Sequence, residues 1–269
     1  MESPDYATAA DLKLVRDQVD QLQIAATEKQ QPWYKQRPSL ASLLALAASI
    51  VTFIISQHGS SLQEIRSKQE ALRKLLTDVV ASQIQEQDQL SRIPDVGKRV
   101  QLSSAMTNER IIWLDAAESL VEQLGKHVSS SEYQTLANQE WSNSEFEKAK
   151  EYYVKSLDAA RDRFARTVAF RSLGSFYFQT PPMKNLEKGR EYFEKAVKAL
   201  GDPTDDYSNY LMGYTYEYWG YGDRSNNLRD ECGQHVKRAR ECYSRISPAN
   251  PLRDSGLSNL AANNPDLPP

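Results

Sequence analysis

The stretch AFRSLGSFYFQTPPMKNLEKGREYFEKAVKAL, Ala169 to Leu200, sets the frame for the whole chain. It reads as two helices joined by a short turn. The first carries Leu173-Gly174 and Tyr177, the second Gly189, Phe193 and Ala196. Small residues at Gly174 and Gly189 let two helices approach closely, and Tyr177 and Phe193 fill the space around them. Pro181 and Pro182 lie in the connection, Gln179 to Asn185, where neither helix can continue through them. Lys184, Lys188, Lys195 and Lys198 alternate with Glu187, Glu191 and Glu194, a pattern that supports an exposed helix face.

Two further stretches repeat this order of residue types. Leu136-Ala137, then Ala149, Tyr153 and Ser156, form an earlier copy. Met212-Gly213 and Tyr216, then Ala239, Tyr243 and Ile246, with Pro251 closing, form a later one. The three copies, over residues 131–251, resemble the tetratricopeptide repeat, whose 34-residue unit pairs a helix bearing Leu-Gly and Tyr with one bearing small-xxx-Phe-xx-Ala. Measured against that unit, the middle copy has a turn about three residues longer, and the last has an insertion of about fourteen residues, Tyr221 to Gln234. The helix before the copies, with Ile112, Ala116, Leu120 and Leu124 on one face and Gly125 at its C-cap, would close the stack.

The resemblance implies a concave groove lined by the first helix of each pair. The residues facing it would be Gln134, Asn138 and Trp141 in the first copy and Arg171, Ser175 and Phe178 in the second. In the third they would be Tyr207, Tyr210, Tyr214 and Tyr218. Trp, Tyr and Arg dominate interface energetics, so such a groove would take a protein or peptide. The alternative is that these aromatics pack between helices or against the insertion. An adaptor would leave Tyr210 and Tyr214 exposed, and a purely structural subunit would have them covered. The Lys/Asn/Arg set that some members use to clamp a terminal carboxylate is not matched by Asn138 and Arg171 alone.

N-terminal to this domain, Ser39 to Ser56 reads SLASLLALAASIVTFIIS and contains no charge. Eighteen helical residues rise roughly 27 Å, enough to cross a hydrocarbon core of about 30 Å. Trp33 and Tyr34 suit the interface, and Lys35 and Arg37 flank the N-terminal side. The span, 39–57, is expected to be single-pass. The cationic flank places the N-terminus in the cytoplasm and the C-terminal domain outside it, as in a bacterial inner-membrane protein.

Leu12, Val15, Val19, Leu22 and Ala26 before the span recur at heptad steps, as do Leu62, Ile65, Gln69, Leu72, Leu76, Val79 and Gln83 after it. Such seams drive helices to supercoil, and polar Gln69 and Gln83 would fix register. Ala41, Ala45 and Ser49 allow close approach within the bilayer. A homo-oligomer is therefore expected, although the second seam could instead pack on the chain's own C-terminal domain.

The expected organisation is all-α: a coiled-coil segment 1–38, the span 39–57, a coiled-coil stalk 58–93, a hinge 94–106 at Pro94 and Gly97, a tetratricopeptide-like α-solenoid 107–251, and a disordered tail 252–269. The net charge of −3 gives no basic stripe for nucleic acid. His58, His127 and His235 are scattered, and Cys232 and Cys242 lie ten residues apart in one helix, too far to pair, so no metal or cofactor is expected. With no GxSxG, P-loop, HExxH or GxGxxG, the chain reads as a non-enzyme.

Overall fold

The computed structural model describes residues 33–264, with side chains from Ser61 onward. The described residues are all-helical, without a strand. The helices are α1 (Trp33–Arg92), α2 (Val96–Leu124), α3 (Ser130–Ser142), α4 (Phe146–Asp158), α5 (Arg163–Gln179), α6 (Leu186–Leu200), α7 (Asp206–Ser225), α8 (Arg229–Ser244) and α9 (Pro251–Asn263). The chain divides into two compact units, Met1–Gln63 and Glu64–Pro269. The first heptad run, residues 12–26, and the side chains of 39–57 lie outside the described residues. Among the described residues no helix is long and apolar enough to cross a membrane.

Short polar side chains set the helix starts by accepting backbone N–H groups that have no helical partner. Asp95 caps α2, Asp162 caps α5 and Asn185 caps α6. Ser129 and Glu132 form a reciprocal capping box on α3. Gly125 ends α2 with φ +49°, a conformation other side chains rarely adopt.

Helices α3/α4, α5/α6 and α7/α8 form antiparallel pairs. Ser130 meets Ser156 while Asn138 meets Tyr153. Thr167 bonds the Ala196 carbonyl while Gly174 faces Phe193. Gly213 faces Tyr243 while Asp223 bonds His235. Successive first helices also touch: Gln134 on α3 donates to Ser172 on α5, Arg171 on α5 lies over Tyr214 on α7, and Asn263 on α9 donates to Glu217 on α7. Thus α3, α5, α7 and α9 lie side by side.

Glycine makes the close approaches possible. Phe178 is wedged between Gly189 and Gly222, and a Cβ on Gly222 would sit 2.9 Å from its ring. Tyr243 is wedged between Gly213 and Gly256, where a Cβ would sit 2.7 and 2.6 Å away.

Several expectations are corrected. The second heptad seam is not a free stalk. Leu72, Leu76 and Val79 are buried in one cluster with Leu114, Val121 and Leu136 of α2 and α3. Its polar positions are used within the chain as well. Gln69 donates to the His127 carbonyl at 2.7 Å, and Gln139 donates to Gln83 at 3.3 Å. A heptad seam specifies burial, and a helix of the same chain buries it as well as a second copy would. The hinge shrinks to Ile93–Asp95, because Asp95 starts α2 at once. On α2 the buried face is Leu114, Ala117, Val121 and Leu124, whereas Ile112 and Ala116 are exposed. Steps of four drift around a 3.6-residue helix, and alternating steps of three and four do not.

The stretch expected to be an insertion, Tyr221 to Gln234, is mostly helical. It lengthens α7 and α8, leaving only Asn226–Leu228 between them. The added turns are sealed by Trp219 stacked on His235 (4.0 Å) and by Asp223 Oδ2 bonded to His235 Nδ1 (2.7 Å). The tail expected to be disordered forms α9 as far as Asn263, with Leu260 buried.

Replacing Leu72 by alanine should lower unfolding stability of the full-length protein in detergent by about 2–5 kcal/mol. Because the seam is intramolecular, circular dichroism melts at two protein concentrations should show the same loss. A loss that shrinks at high concentration would place the seam between chains.

Candidate functional site

Helix α7 presents Tyr207, Tyr210, Tyr214, Tyr218 and Tyr221 at steps of three and four, a single stripe along its length. Tyr210 stacks on Tyr214 at 5.9 Å, and Tyr214 meets Tyr218 edge-on at 4.7 Å. The Tyr214 hydroxyl donates to that of Tyr218 at 3.1 Å. Burial pushes the Tyr214 hydroxyl well above its ordinary range.

On α5, Arg171 is only 8 % exposed. Its guanidinium carbon lies 4.6 Å from the Tyr214 ring centre and 5.4 Å from that of Tyr218. No carboxylate of the described residues pairs with it, and its Nη1 has no hydrogen-bond acceptor. Burial lowers its pKa because the charged form loses solvent. One turn on, the Ser175 hydroxyl is also buried without a partner.

Beside these rings opens a cavity of about 440 Å³. Its walls are Trp141 of α3 and Tyr214, Tyr218 and Tyr221 of α7. Gln179 of α5 and Asn259, Asn263 and Asn264 at the end of α9 supply amides. Glu217 supplies the single carboxylate of the lining and is 7 % exposed. The Tyr243 hydroxyl donates to its Oε2 at 2.7 Å, and Asn263 Nδ2 to its Oε1 at 3.0 Å. Burial and this carboxylate together push the Tyr243 hydroxyl far up.

Of the residues expected to face a groove, Trp141, Tyr214 and Tyr218 line the cavity and Arg171 backs it. Asn138 is exposed, and its Oδ1 accepts the Tyr153 hydroxyl at 2.6 Å. Tyr210 and Tyr214, whose exposure was expected to separate an adaptor from a structural subunit, are both half-buried, so they decide for neither. Tyr210 packs against Tyr243, and Tyr207 rests on Phe164 at the start of the stripe; neither lines the cavity. Phe178 is a correction. It is 1 % exposed and belongs to the core, edge-on to Phe193. The face of Arg171 and Ser175 continues one turn further at Gln179, not at Phe178.

Sequence reading missed Glu217, Gln179, Tyr221 and the α9 asparagines. Tyr221 was legible as the next step of the stripe. Helix α9 was legible in Asn250-Pro251, a cap residue followed by proline at the first helical position.

No protein-family model matches the chain, and no curated protein matches it. Among the described residues no group of three or more His, Cys, Asp or Glu could hold a metal ion. Cys232 and Cys242 are free and buried, and burial pushes both thiols up, away from the reactive thiolate.

Replacing Arg171 by an apolar residue of similar length removes the desolvation cost of a buried charge and also its contact with two tyrosine rings, two effects of opposite sign. Arg171→Met should therefore leave unfolding stability within about 1 kcal/mol of wild type, or above it. A denaturant melt showing a loss of several kcal/mol would mean that Arg171 holds the fold together.

Proposed function

We propose that the chain is a membrane-anchored adaptor of tetratricopeptide-like helical-repeat type, without enzymatic activity. In this reading α3, α5, α7 and α9 present a groove to a segment of a protein partner. The observation that carries it is the cavity walled by Trp141, Tyr214, Tyr218 and Tyr221. Tyr218 and Tyr221 keep 38 % and 55 % of their surface exposed, so both rings are open to a partner. Rigid aromatics beside amides are the composition of surfaces that bind peptides tightly, since rings contribute area and amides fix the main chain.

The repeat reading is supported by the antiparallel pairs and by the recurring opposition of a first-helix glycine to a second-helix aromatic, Gly174 to Phe193 and Gly213 to Tyr243. The anchor rests on the uncharged run Ser39 to Ser56, and oligomerisation through the N-terminal heptads rests on Leu12 to Ala26. A second reading, a structural subunit of a membrane assembly, is favoured by the exposed apolar side chains Ile84, Val96, Val100 and Ile112 on α1 and α2.

A photoreactive phenylalanine analogue placed at Tyr221 or at Ile112 separates the two. For the adaptor, the Tyr221 probe crosslinks a different protein in intact cells, and Tyr214→Ala with Tyr218→Ala abolishes that product. If the Tyr221 probe yields only adducts of the chain with itself, as the Ile112 probe would in a structural assembly, the adaptor reading fails.

A further inference from the structure

We infer that the cavity beside α7 receives a basic side chain, lysine or arginine, from the partner segment. The inference rests on the groove reading above and adds the chemistry of the anchor. The lining holds four aromatics, four amides and one carboxylate, and no cation. Aromatic walls attract cations through the negative faces of their rings, and the attraction grows where water is excluded. Amides can serve a peptide backbone of any sequence, so the aromatics and the carboxylate carry the selection.

Glu217 is the one acidic residue of the lining. It is buried, yet no Lys or Arg of the described residues pairs with it. Two neutral donors, the Tyr243 hydroxyl and the Asn263 amide, hold its oxygens in place. Neutral donors orient a carboxylate without cancelling its charge. A buried charge that lacks a counter-ion is costly, and an arriving cation offsets that cost.

Two native cations border the site, and neither fills it. Arg171 lies against the Tyr214 and Tyr218 rings and is not part of the lining. It fixes the rings and, as a like charge, opposes a second cation, so Glu217 becomes the required counter-charge. Arg224 is occupied in tying α9 to α7, donating to the Asn263 carbonyl at 2.6 Å and to Asn264 Oδ1 at 2.9 Å. The residues after Asn264 read PDLPP and contain no cation, so they cannot supply the side chain. The volume, about 440 Å³, exceeds one side chain and leaves room for flanking backbone.

The test uses the full-length protein in detergent and a displayed library of random dodecapeptides. Selected peptides should share a Lys or Arg at one position. In fluorescence anisotropy, replacing it with norleucine or citrulline should weaken binding by about tenfold or more. The Glu217→Gln variant, which keeps an acceptor for Tyr243, should bind the basic and neutral peptides about equally.

Selected peptides that lack a basic residue, or that bind equally well with citrulline, while Tyr218→Ala still abolishes binding, would overturn the cation and leave the groove reading intact. No enriched peptide, or binding unaffected by Tyr218→Ala, would overturn both. Binding that appears only after removal of residues 265–269 would make the chain's own tail the occupant and overturn the assignment to a partner.

Discussion

Two rings wedged between glycines set the spacing on which the rest of the folded unit depends. Phe178 fits between Gly189 and Gly222, and Tyr243 fits between Gly213 and Gly256. Each ring joins three helices, because the glycines on its two sides belong to different elements. A methyl group at these positions would overlap the ring, and well-packed interiors absorb such overlap only by moving backbone. Tyr243 has a second task. Its ring spaces α7, α8 and α9, and its hydroxyl holds Glu217 at the cavity. Packing and site chemistry therefore meet in one side chain.

The cavity is bordered by two charges that have no ion-pair partner among the described residues. Arg171 lies behind Tyr214 and Tyr218, and Glu217 lies within the lining. Neither forms an ion pair with another described residue. Natural cores rarely keep such groups, since each loses solvation without a full compensating partner. Both lie at the tyrosine stripe of α7, whereas Ser156 and Thr167, buried elsewhere in the folded unit, are hydrogen-bonded.

The α5/α6 pair could be read from sequence because its small residues and aromatics fall at spacings that only close helix packing uses. The helix starts at Ser129, Asp162 and Asn185, which sequence reading did not single out, rest on a similarly local signal, the cap side chain. What sequence could not reveal depended on which surface would cover which. Leu72, Leu76 and Val79 need burial, and nothing in their spacing distinguishes a second copy from α2 and α3. The conformation of Tyr221 to Gln234 was not legible, because it depends on Trp219, Asp223 and His235 meeting across two helices to extend the hairpin. Phe178 and Gln179 differ by one residue, or about 100° of helix rotation, which decides core against groove.

The central claim is that the tyrosine stripe of α7 faces an accessible groove, and hydroxyl-radical footprinting of the full-length protein tests it most directly. With modification read residue by residue by mass spectrometry, the account predicts ready oxidation of Tyr218 and Tyr221, with Tyr243 and Phe178 protected. Protection of Tyr218 and Tyr221 to the level of Tyr243 would mean that the stripe is covered, and would contradict the account.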